Sequence, residues 1–306
     1  MAAAKSKLKR DKVSFGITPT SWWNDDFPDM DIGIPFGQCV SEMALAGFEG
    51  CSIGHKYPTD IEILKRELAL RGLRVSEPWA STYFTIKDMH EQTLSGFKQQ
   101  MKFIKAVGGT DMVVAELGNA VHQQPVALVA NRPIFDDRQW DAMTKGLNLL
   151  GKMAKDAGLR LCYHHHMGTG VQTRADVDRL AASTDPKLVN LLLDTGHLTF
   201  AGDDPVSFVR AYAKRIKHVH LKDIRRPIME DSLSRKLPFR EAIRARVFTV
   251  PGDPEGSIDF PSVLQLLAEN DYEGWIVVEA EQDPAKANPL AYAKMARAYI
   301  REVTGL

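Results

Sequence analysis

The chain carries no surplus of charge of either sign. Lys and Arg total 39, Asp and Glu total 39, and the formal net charge over 306 residues is zero. Such a molecule projects no field that would gather nucleic acid or an anionic membrane. Cysteine is scarce and odd in number. Cys39, Cys51 and Cys162 have no metal-type spacing, and Cys162 lies inside an apolar run, so a reduced cytoplasm is the expected setting. No apolar run approaches the length of a transmembrane helix. The basic stretch from Met1 to Arg10 lacks the apolar segment of a secretory signal, and residues 1–12 are expected to form a flexible tail. Low-complexity tracts and inter-domain linkers are also missing, so residues 13–306 are expected to form one catalytic domain.

What is present is alternation. Strand-like runs are expected at Val13–Thr18, Gly50–Gly54, Arg74–Glu77, Asp111–Glu116, Leu159–His164, Val189–Asp194, Ile216–Leu221 and Gly274–Glu279. Helical patterns follow each of them, at about 38–48, 60–72, 91–108, 137–158, 173–184, 205–215, 260–270 and 289–304. Trp140, Met143, Leu147, Leu150 and Ala154 make a helical stripe that Gly158 ends, Gly72 ends the second helix in the same way, and Asp204-Pro205 reads as a cap and first turn. The strands are apolar throughout, without alternation, as in a parallel sheet covered on both faces. Eight such units predict an α/β fold of the (β/α)8 TIM-barrel class. A doubly wound sheet is the alternative, but the first βα turn has no Gly-rich phosphate fingerprint. Two connections, Leu117–Asp136 and Ile224–Ser257, are long enough to be lids or partner contacts.

Four successive strands end in metal-ligand types. His164-His165-His166 closes the fifth, Asp194 the sixth, His218 and His220 the seventh, and Glu279 with Glu281 the eighth. Strand ends of a parallel barrel converge on one mouth. Imidazoles and carboxylates gathered there suit Mn²⁺, Co²⁺, Zn²⁺ or Fe²⁺ better than Ca²⁺. A two-residue spacing puts His164 and His166 on one side and turns His165 toward the helices; His218, His220 and Lys222 share a face by the same rule. In the first half of the chain Glu116, Glu77, His55, Trp22 and Asn24 are candidates for the wall of a polyol-binding pocket.

Asp194-Thr-Gly-His197, His218-Val-His220-Leu-Lys-Asp223 and Val277-Val-Glu279 together resemble the xylose-isomerase-like TIM barrels. That superfamily includes sugar-phosphate isomerases, ketose 3-epimerases and zinc-dependent apurinic endonucleases. Within it, Gly16-Ile-Thr-Pro-Thr-Ser-Trp-Trp-Asn-Asp25, Tyr163-His-His-His-Met-Gly-Thr169 and Val250-Pro-Gly-Asp253 are similar to the myo-inosose-2 dehydratases. Gly252-Asp-Pro-Glu-Gly256 departs from that pattern by being longer than a tight Gly-Asp-Gly turn.

The resemblance implies a hydro-lyase of inositol catabolism that takes water from 2-keto-myo-inositol to give a trihydroxycyclohexanedione. It implies a cobalt or manganese ion, and glutathione as a further requirement. The superfamily's metal set is Glu, Asp, His, Glu. Asp194, His220 and Glu279 match three members, and a histidine stands at the first, with Gly168 and Gly170 favouring His164 and leaving His166 as the alternative. His166, Glu116 and His197 are then the acid–base candidates, while Lys222 and Glu281 bind substrate or support the ligands. The expected partner is a small polyol ketone, with no nucleic acid and no membrane, and a homo-oligomer is compatible with the reading. A ketose 3-epimerase would use the same chemistry without losing water. An apurinic endonuclease would carry more histidines and a basic rim. A non-catalytic sugar-binding barrel would show no metal-dependent turnover.

Overall fold

Apolar runs covered on both faces pair in parallel here, as their lack of alternation predicts. The structure, a computed structural model, describes residues 8–306. The strands are β1 (Val13–Ile17), β2 (Gly50–Cys51), β3 in two segments (Arg74–Val75 and Trp79–Thr82), β4 (Asp111–Glu116), β5 (Arg160–His164), β6 (Val189–Asp194), β7 (Ile216–Leu221) and β8 (Gly274–Val278). Parallel ladders join β4 through β8 in order, and β8 returns to β1 with Gly16 opposite Val277.

The third strand differs from expectation. Arg74–Val75 pairs with Gly50–Cys51, whereas Trp79–Thr82 pairs with Val113–Glu116. Ser76, Glu77 and Pro78 interrupt the strand between them; Pro78 has no N–H to give to a ladder. The chain bridges its own break and closes the ring, which gives the expected (β/α)8 barrel.

The outer layer holds α1 (Phe36–Ala46), α2 (Ile61–Ala69), α3 (His90–Ala106), α4 (Asp137–Asp156), α5 (Arg174–Ser183), α6 (Thr195–Phe200), α7 (Pro205–Tyr212), α8 (Arg226–Ser234), α9 (Phe239–Arg244), α10 (Phe260–Glu269) and α11 (Pro289–Thr304). Asp136 and Gln139 form a capping box on α4, whose Trp140, Met143, Leu147, Leu150 and Ala154 are all buried. Gly158 closes the connection to β5 at φ +78°. Asp204 caps α7, with Pro205 in its first turn.

Three short helices lie outside the expected eight. Thr195–Phe200 follows β6 directly, and the long segment after β7 folds into α8, α9 and a ribbon of Asp223–Ile224 paired antiparallel with Phe248–Thr249. Phe27, Val121, Met167, Phe239 and Phe248 belong to a second apolar cluster, separate from the main core. They come from the connections after β1, β4, β5 and β7, at the C-terminal ends of the strands.

Of the expected flexible tail, residues 1–7 lie outside the described residues. Within residues 8–12, Leu8 is buried, Lys9 pairs with Asp271, and Arg10 pairs with Glu49. No helix among the described residues is long and apolar enough to cross a membrane.

Candidate metal centre and adjoining acid–base cluster

Strand pleating fixes which histidines meet. His164 points into the barrel and is buried. His165 turns outward, its ring 5.6 Å from Phe208 on α7. His166 turns inward again and lines the cavity at the mouth. Gly168 adopts φ +77°, and a Cβ there would lie 2.9 Å from the backbone nitrogen of His122, so the bend that ends β5 needs glycine.

Asp194 ends β6 and divides its two oxygens. Oδ1 accepts from the backbone of His197 at 2.8 Å, which starts α6. Oδ2 is buried with no hydrogen-bond partner among the described residues. Around it, one ligand atom each from His164, Asp194, His220 and Glu279 lies within 4.8 Å of the others. His164 Nε2 is 3.6 Å from Asp194 Oδ2, and His220 Nδ1 is 2.7 Å from Glu279 Oε2 and 3.8 Å from Asp194 Oδ2. A buried carboxylate oxygen without a partner is costly. Two imidazoles and two carboxylates pointing at one spot are a divalent-metal donor set, so these residues fit the ion expected here.

The fields at three of the four donors agree with that fit. Burial would raise the carboxyls of Asp194 and Glu279, but Lys222 opposes it and holds both below their ordinary range. Burial lowers His164 below its usual value against the pull of Asp194, which keeps its imidazole in the neutral, ligating form. His220 differs: Glu279 and Glu77 outweigh burial and its value rises to about 10, so the ring gives up its Nδ1 proton when it ligates.

A second cluster adjoins the first. His166, His197 and Glu281 also converge within 4.8 Å, and the two imidazole rings lie 3.9 Å apart. His166 Nδ1 donates to the Met167 carbonyl at 2.8 Å, so Nε2 is the nitrogen with a free lone pair. Burial, aided by neighbouring cationic and imidazole groups, puts both histidines well below their ordinary values. Lys222 links the clusters. Its buried ammonium donates to Glu281 Oε2 at 2.7 Å and His197 Nε2 at 2.8 Å, and lies 3.4 Å from Glu279 Oε2. Burial lifts the Glu281 carboxyl to about 7 against the pull of Lys222. The two clusters border a cavity of about 120 Å³ whose wall includes Thr18, Asn24, Asp26 and Trp79.

Most of the residues singled out by sequence assemble here. Asn24 approaches Glu281 Oε1 at 3.4 Å, and Glu77 reaches the cavity from below, beside His220. Three do not. Glu116, expected to act as acid or base, points away from the cavity. Its oxygens accept from Thr82 Oγ1, the Phe84 and Thr85 amides and Thr85 Oγ1 at 2.7–3.1 Å, pinning the turn after β3. Trp22, expected in the wall, is fully buried and donates to Glu42 on α1 at 2.6 Å. His55 is exposed and does not line the cavity; it bonds Asp25, which does. Sequence reasoning passed over Trp79, whose ring lies 5.4 Å from that of His164, and His122, 5.0 Å from that of His166. The first was hidden by ending β3 too early; the second sits in an irregular segment with no periodic signal.

Residues 38–303 match the family model described as xylose isomerase-like TIM barrel. An inosose dehydratase of Geobacillus thermodenitrificans (strain NG80-2) is 49% identical over 300 residues, covering 98% of this chain and 100% of that one. One of Clostridium tetani (strain Massachusetts / E88) is 48% identical over 296 residues, covering 96% and 98%. Among solved structures, the IOLI protein with a zinc atom superposes with a TM-score of 0.70 at 16% identity, over 95% of this chain and 98% of that one. An L-ribulose 3-epimerase gives 0.69 at 18% identity, over 96% and 95%. At such identities these two likenesses speak for the fold.

Proposed function

From the premise that this chain belongs to the xylose isomerase-like TIM barrel family, and within it to the inosose dehydratases, we propose that it takes one water from 2-keto-myo-inositol to give a trihydroxycyclohexane-1,2-dione in inositol catabolism. It is an enzyme of the hydro-lyase class. The observation that carries the reading is the pairing of a four-donor metal set with a separate acid–base cluster, joined through Lys222. An epimerase needs a proton moved beside a ketone. A dehydratase must also protonate a departing oxygen.

His164, Asp194, His220 and Glu279 would hold the ion, Mn²⁺ or Co²⁺ by the family resemblance. Bound there, it supplies Lewis-acid polarisation of the substrate ketone. His166 Nε2, neutral and free to accept, takes the proton from the carbon beside the ketone. That C–H pair becomes the new C=C bond as the neighbouring C–O bond breaks. The departing hydroxide takes a proton from the Glu281–Lys222 pair and leaves as water. The enol left behind tautomerises to the second ketone. Asn24 and Trp79 hold and cover the ring. The three cysteines are buried and free, in keeping with a reducing cytoplasm as the place of reaction.

The test is product mass. Protein reconstituted with Mn²⁺ or Co²⁺ and given 2-keto-myo-inositol should yield a product lighter by one water, and a chelator should abolish it. A product of unchanged mass would replace the dehydratase reading by an epimerase. Full turnover in metal-free protein would remove the metal from it.

A further inference from the structure

Beneath the four donors a line of alternating charges descends the barrel interior. His220 faces the metal set through Nδ1, and its other ring nitrogen, Nε2, donates to Glu77 Oε1 at 3.3 Å. Glu77 Oε2 lies 3.4 Å from His218 Nε2. His218 Nδ1 is 3.1 Å from Asp111 Oδ2. Arg160 ends the line, gripping both oxygens of Asp111 at 2.6 and 3.0 Å. Glu77, His218 and Asp111 are all buried.

The interruption of β3 brings Glu77 into this line. Its backbone carbonyl still accepts from Ile53 at 3.0 Å, which ties the break to the segment after β2. Glu77 is not one of the four converging donors. It contacts the set only by way of the His220 ring. A histidine that ligates through one nitrogen and donates from the other has its tautomer and ring plane fixed by the acceptor. Here that acceptor is anchored in turn by an imidazole, a carboxylate and a guanidinium.

We propose that Glu77 is a positioning residue: it holds His220 by Nε2–H so that Nδ1 is the nitrogen presented to the metal, while His218, Asp111 and Arg160 keep Glu77 in place. This rests on the metal reading above. The measurement is Co²⁺ affinity of the ion-free full-length protein, by competition with a chromophoric chelator, together with the visible absorption of the Co²⁺ form. Glu77→Gln should weaken Co²⁺ binding about 10- to 100-fold and alter the absorption bands, and Glu77→Asp should restore much of the loss. Wild-type affinity and spectrum in folded Glu77→Gln would overturn the proposal and leave the metal set standing. Failure of the wild type to bind Co²⁺ would overturn the metal reading, and this inference with it. A second measurement does not depend on the variant folding. In ¹⁵N-histidine-labelled wild type loaded with Zn²⁺, His220 should show a proton on Nε2 and the metal on Nδ1; the reverse assignment overturns the proposal.

Discussion

His164 and His166 stand two residues apart, one at the end of β5 and one just past it, both turned inward, yet the structure gives them different neighbours. His164 faces Asp194 and His220; His166 lies against His197 with the rings tilted and has its Nδ1 proton committed to Met167. His164→Ala should therefore lower metal content sharply. His166→Ala should keep the metal and slow turnover, because a group that acts only on the reacting substrate contributes to the transition state. Metal analysis and rate on the two purified variants decide this, and metal loss confined to His166→Ala would reverse the roles. The same alternation that separated His165 from its neighbours could have excluded Glu116. Val113 lines the cavity and Asp111 meets His218, so the inward phase of β4 falls on odd positions and Glu116 must face out. Nothing in the sequence marked Trp22 as an α1 contact, since that depends on where a short turn at Pro19–Ser21 leaves the ring.

At the scale of elements, the expected strands and helices were legible wherever an apolar run had a capping residue or glycine at its end. The exceptions were short or broken: the second half of β3, and α6, α8 and α9, all brief enough that periodicity carries little signal. The long Gly252–Gly256 turn now has a physical account. Asp223 Oδ1 accepts from the amides of Ile224, Ser257 and Ile258 at 2.8, 3.0 and 3.1 Å, and a Cβ on Gly256 would come 2.0 Å from Asp223 Oδ2. Only glycine fits against that carboxylate. Burial lifts the Asp223 carboxyl to about 6 despite the three amide donors. Because the folded value is raised, its contribution to stability is full below about pH 4 and is lost as pH rises through about 6. Asp223→Asn keeps the Oδ1 acceptor without the charge. Its stability relative to wild type should rise by on the order of 1–3 kcal/mol between pH 4 and pH 7. Urea denaturation at both pH values measures this, and a pH-independent difference would refute it.

For the molecule as a whole, counting strand–helix units was enough to foresee a barrel, and the residue types at the last four strand ends were enough to foresee that His164, Asp194, His220 and Glu279 converge. The balanced composition concealed how the charge is arranged. Several acidic, basic and imidazole side chains lie inside, with Lys222 under the mouth and Asp111 at the opposite end of the same interior. That order exists only once β3, β4, β5 and β7 face one interior, so no stretch of sequence contains it. The ring is also unevenly sewn. β2 meets each neighbour over two residues, at Gly50–Cys51, whereas β4 to β8 are joined by ladders of four. A cylinder so made has a seam. Amide hydrogen exchange should be fastest among the strands along 50–53 and 74–77 and slowest in β5 and β6, a contrast that mass spectrometry of the intact fold would read. The His164, Asp194, His220 and Glu279 side then stays shut while the opposite wall breathes, and Glu77 is the residue through which that breathing reaches the ligands.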